Sequence, residues 1–154
     1  MTPFKKILFS SLVLSVGLLT INAAYKGEPK DALDKRTFKV SMTEVKTGAA
    51  SKKGVDDEIE FKGGKIFSGF LFDKFEFSRM KYEITKDSTF TDEEENEMHI
   101  IEAEASTTDD TDQTVVITCK VEDADISGEV KITKKDKLKK RYEFSGKEKD
   151  KKKK

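Results

Sequence analysis

Paired carboxylates are the commonest groups in this chain with the spacing to do chemistry: Glu58 with Glu60, and Glu102 with Glu104, each two residues apart. On a strand each pair shares one face, and general acid/base work at a glycosidic bond would need a second carboxylate brought to a defined separation by the fold. Nothing in the spacing selects any two of the thirty acidic residues for that task, so solvated strand faces are the plainer assignment. The one histidine, His99, lies between Met98 and Ile100 and is expected to face away from them. A single imidazole cannot supply the several nitrogen or sulfur donors of a structural zinc site. The one cysteine, Cys119, falls in phase with Val115, Ile117 and Val121 and reads as a buried thiol without a base beside it.

Two acidic runs, "DEEENE" at 92–97 and "DDTD" at 109–112, offer carboxylate oxygens of the kind hard cations prefer. Neither has the spacing and glycine placement of a calcium-binding helix-loop-helix, so solvated loops are expected. "KGGKIFSG" at 62–69 lacks the GxxxxGK[ST] order and is expected in a β hairpin instead of opening a helix, and no G-x-S-x-G elbow occurs. No catalytic residue, no metal ligand and no cofactor is therefore expected. Charge is segregated: residues 87–112 hold eleven acidic side chains and no lysine or arginine, whereas residues 131–154 hold thirteen basic side chains against four acidic ones. The terminal "KEKDKKKK" carries no aromatics to stack on bases, which argues against nucleic acid as a partner.

The elements that would position these groups are strands. In "TFKVSMTEV" Phe38, Val40 and Met42 alternate with Lys39, Ser41 and Thr43, the period of a half-buried strand. Residues 58–70 read as a hairpin turning at Gly63–Gly64, with Ile66, Ser68, Phe70 and Phe72 on one face of the return strand and Gly69 at a bulge or bend. Met80, Tyr82 and Ile84 continue the alternation up to an edge or turn near "TKDSTF". A side switch between Ile100 and Ile101 suggests a bulge, and "QTVVITCKVED" is the clearest strand. Seven to nine short strands with little helical periodicity predict an all-β antiparallel meander, closed or partly closed into a small barrel, with a sandwich as the alternative.

A core of Phe61, Ile66, Phe70, Phe72, Tyr82, Ile84, Ile117, Val130, Ile132, Tyr142 and Phe144 is expected. Residues 58–77 carry six of the eleven phenylalanines, more aromatic surface than one sheet face readily hides. The surplus, Phe67, Leu71, Phe75 and Phe77, forms the candidate ligand-binding or partner-binding set; closing one end of a barrel is its other use.

Residues 1–24 have the form of an export signal: Lys5 and Lys6, an apolar run from Ile7 to Leu19, then Ala23 and Ala24 at a cleavage site. The expected organisation is this signal, a leader at 25–36, one all-β domain at 37–146 and a lysine-rich tail at 147–154. After cleavage about 130 residues remain, enough for one modest core. With one cysteine there is no internal disulfide to assist it.

"DDEIEFKGGKIFSGF" (56–70), "YEIT" (82–85), "ISGEVKI" (126–132) and "KRYEFSG" (140–146) together resemble the recurrent pattern of small exported bacterial proteins of lipocalin-like, all-β character. The positions carrying the resemblance are Phe61, Gly64 and Lys65, then Gly128, then Tyr142, Phe144 and Gly146. Larger lipocalins have an early Gly-x-Trp element, and this chain has no tryptophan. The resemblance implies export and a barrel and names no activity. The function expected is thus a non-enzymatic periplasmic or secreted β-barrel binding a small apolar ligand or an envelope component. The alternative is a structural or protein-interaction module with a solid core, and a secreted hydrolase ranks third.

Overall fold

The computed structural model describes residues 31–46 and 53–150. The expected export signal at 1–24, the start of the leader and the last four lysines lie outside the described residues. Eight strands follow in order: β1 (Thr37–Glu44), β2 (Val55–Lys62), β3 (Lys65–Ser68), β4 (Met80–Thr91), β5 (Glu97–Thr108), β6 (Gln113–Glu122), β7 (Asp125–Lys134) and β8 (Lys137–Glu148). Each pairs antiparallel with its neighbour in sequence, and β1 pairs with β8, so the sheet closes into a ring. β8 runs to Glu148, two residues past the expected domain boundary.

Alternation decides the faces. Phe38, Val40 and Met42 of β1, Ile59 and Phe61 of β2, Val115, Ile117, Cys119 and Val121 of β6, and Tyr142 and Phe144 of β8 all point inward and are buried. They join one continuous apolar cluster. Full burial of each large side chain contributes roughly 1.5–3 kcal/mol. Phe61 stands at its centre, edge-on to Phe38 at 6.0 Å and to Tyr82 at 5.1 Å between centroids.

Tight turns set the register. Gly63 and Gly64 adopt φ of 59° and 70°, the left-handed pair a two-residue hairpin requires. The two acidic runs also turn hairpins, by one shared device. Asp92 accepts from the amides of Glu94 at 2.9 Å and Asn96 at 2.8 Å. Asp109 accepts from those of Thr111 at 2.8 Å and Gln113 at 3.0 Å. Both carboxyls are held below the usual range: the Asn96 side chain acts most on Asp92, and the Gln113 amide most on Asp109. These carboxylates fold their own loops.

One stretch departs from the alternation. The return strand expected to reach Phe72 stops at Ser68, and Gly69–Phe75 forms a helix, α1. Gly69 is its first residue and not a bulge. Ser68 caps it by accepting from the Leu71 amide at 3.1 Å. Asp57 of β2 accepts from the Ser68 hydroxyl at 2.5 Å and the Phe70 amide at 2.9 Å. The helix ends where Glu76 turns left-handed at φ 62°. The bulge expected near Ile100 is also displaced: β5 is regular, and the register shifts lie between Ile84 and Lys86 of β4 and between Ile132 and Thr133 of β7. The stretch "TKDSTF", expected to be an edge or a turn, is no turn: it is the continuous second half of β4, paired with β5 and, among the described residues, with no strand on its other side.

Both mouths of the ring are covered. At one, the turn before β1 inserts Leu33, fully buried, and is fastened by Lys35 N–H to the Phe61 carbonyl at 2.8 Å. At the other, α1 buries Leu71 and lays Phe70 and Phe75 against Tyr142, with centroids 5.1 and 6.2 Å away. The leader is therefore part of the folded unit from Asp31 onward.

Candidate functional site on the outer face

Outward positions of β1, β2 and β3 floor an open depression of about 1190 Å³. Strand alternation puts Lys39 and Ser41 there from β1, Asp56, Glu58 and Glu60 from β2, and Phe67 from β3. Lys35 and Lys149 complete a rim of mixed charge. Lys149 Nζ lies 2.6 Å from Glu58 Oε1, tying the chain end after β8 to β2.

Phe67 is the aromatic end of this groove. Its ring lies 6.0 Å from that of Phe72 on α1, which is 50% exposed. The Arg79 guanidinium sits 5.2 Å above the Phe67 ring and also pairs with Glu60. An aromatic pair, a stacked cation and a row of carboxylates thus lie side by side on the outer face.

The structure separates the four candidate binding residues. Phe67 alone lies on the groove. Leu71 and Phe77 are buried in the core at 0% and 4% exposure, because α1 turns the segment over the mouth of the ring. Phe75 is half-buried against Tyr142. Conversely Phe72, expected in the core, stands outside. Phe72 and Arg79 were missed because their approach to Phe67 depends on the helix. The Ser68 cap was the only local signal, and its partner Asp57 is eleven residues away.

The remaining chemical groups have structural settings. Cys119 faces inward among Ala103 and Gly128, and burial pushes its thiol up to about 12. His99 Nε2 lies 2.5 Å from Asp87 Oδ1, and among the described residues no other side chain is hydrogen-bonded to the imidazole. Glu102 and Glu104 point outward, with Glu102 facing Lys86 at 3.6 Å. Glu129 is held below the usual carboxylate range by Lys131 first and Arg141 second. Among the described residues no three His, Cys, Asp or Glu side chains converge as a metal site, and no helix is long and apolar enough to cross a membrane. Comparisons with protein-family models, with curated proteins and with solved structures find no match to this chain.

Proposed function

We propose that this chain is an exported, non-enzymatic β-barrel of lipocalin-like kind that acts as an interaction module. It engages an envelope component through the outer groove ending at Phe67, Phe72 and Arg79. The observation carrying this reading is the division of aromatic side chains. The inward set is consumed by a continuous core capped at both mouths by Leu33 and Leu71. Phe67 and Phe72 lie outside that core and beside a groove. Lys5, Lys6 and the apolar run after them support export.

The test is native mass spectrometry of the protein recovered from its own envelope, comparing wild type with the Phe67→Ala/Phe72→Ala double variant. A partner retained by the wild type and lost at least about tenfold by the variant is the expected result; removal of an aromatic anchor commonly costs 2 kcal/mol or more. Bare monomer in both samples overturns the proposal. A small apolar molecule held equally by both would instead place the ligand inside the ring, beneath α1.

A further inference from the structure

Among the described residues the ring has one long unpaired edge. β3 pairs with β4 only at Lys65↔Lys81 and Ile66↔Met80, and the last described backbone bond on that side is Tyr82 N–H to the Gly64 carbonyl at 3.3 Å. β4 nevertheless continues to Thr91, paired on its other side with β5. β6 in turn stops at Glu122, opposite Ile100. The far half of β4–β5 is thus a two-stranded ribbon projecting past the core. Asp87 and Thr89, on its inner face, are exposed to solvent.

The direction of the free backbone groups follows from two hydrogen bonds. His99 carbonyl accepts from Asp123 N–H on the β6 side, and Asp92 N–H donates to Asn96 across the hairpin. Backbone groups alternate sides along an antiparallel strand, so Met98 and Ile100 serve β4 while Phe90 and Ser88 answer them. The N–H and C=O groups of Asp87, Thr89 and Thr91 then face the open side. Among the described residues no strand covers them.

We infer that this edge, from Ile84 to Thr91, is a docking site where an extended, lysine- or arginine-rich segment of a partner protein adds as a further strand. Strand addition satisfies the free backbone groups, and flanking side chains select the sequence. The selection here is electrostatic. From Glu83 to Glu97 the ribbon carries seven carboxylates against the single ammonium of Lys86, which already faces Glu102. Glu83, Glu93, Glu94, Glu95 and Glu97 have no cationic partner among the described residues. The same charge repels a second copy of the edge, and the bulge beside Lys86 protects its near end from that pairing. Beside the edge, Phe90 is 44% exposed with Met98 across from it, an apolar contact for one side chain of the added strand. This surface is separate from the Phe67 groove.

The probe is a capped seven-residue peptide alternating lysine and valine, titrated into the isotopically labelled protein while amide exchange is followed. Protection of the Asp87, Thr89 and Thr91 amides should rise at least about tenfold, with Ser88 and Phe90 little changed because β5 already holds them. Thr89→Pro removes a donor from the open side and leaves the β5 ladder bonds in place. That variant should keep the core exchange pattern and lose peptide protection. Equal binding of a peptide with proline at its centre, or shifts confined to residues 93–97, would reduce the interaction to charge alone and overturn the proposal. So would protection of those three amides before peptide is added, which would mean that the chain covers its own edge. A dimer abolished by Thr89→Pro would also overturn it, by making the occupant a second copy.

Discussion

The Tyr82 phenol donates to the Asp31 carboxylate, its oxygen 2.6 Å from Oδ2 and 2.8 Å from Oδ1, and fastens the N-terminal turn to β4. Removing that hydroxyl in Tyr82→Phe keeps the ring against Phe61 and leaves a partly buried carboxylate short of a donor. A loss of about 1–3 kcal/mol in urea unfolding is expected, with faster exchange of the Lys35 amide. Burial first, and Asp31 second, push the Tyr82 phenol up from its ordinary value. Its folded pKa being raised, the associated stability is complete below the unfolded pKa of about 10 and is lost as pH rises beyond it. Folded protein titrated through that range should show no tyrosinate absorbance from Tyr82 until it unfolds.

Cys119 supplies a second check on burial. With the thiol pushed up to about 12 by desolvation, the thiolate is scarce at neutral pH and the sulfur is covered. A disulfide reagent should label the native chain at least about a hundredfold more slowly than the urea-unfolded chain. Equal rates would show that β6 does not hold its inward face closed.

Leu71 and Phe72 are adjacent, yet α1 sends them to opposite environments. Leu71→Ala should cost about 2–5 kcal/mol, because it empties a fully buried site under the helix. Phe72→Ala should stay within about 0.5 kcal/mol, because half of that ring is already in water. Comparable losses, measured by denaturant midpoints, would mean that the segment does not cap the ring as a helix.

Gly146 sits opposite Val40 at the seam where the last strand meets the first. A Cβ there would lie 1.9 Å from the Lys39 carbonyl oxygen and 2.6 Å from Val40 Cα, both backbone atoms. Gly146→Ala should therefore part β1 from β8 and cost more than about 3 kcal/mol. Gly64→Ala meets no atom within 4 Å and carries only the strain of φ 70°, about 1 kcal/mol. Thermal melts of the two variants would separate seam packing from turn strain.

Strand alternation was legible where one face meets the core and the other meets water. Phe38, Val40 and Met42, or Val115 through Val121, announce their inward face in the order of residues alone. The Gly63–Gly64 turn was legible too, since few other pairs accept two left-handed residues. The acidic loops carried a pattern that passed unread: aspartate at the first position and an amide donor two and four residues on, at both Asp92 and Asp109.

The sequence by itself determined which residues avoid water along each strand and where the chain can reverse, because both are local properties of side-chain period and backbone sterics. Only the tertiary structure decided that "GFLFDKF" is a helix, since seven residues are too short to show a period and the carboxylate fixing its start comes from β2. Tertiary contact likewise turned Leu71 and Phe77 inward, left Phe72 beside Phe67, and stopped β3 while β4 ran on. Each of those outcomes depends on which strands become neighbours, and closure between β1 and β8 joins residues about a hundred positions apart.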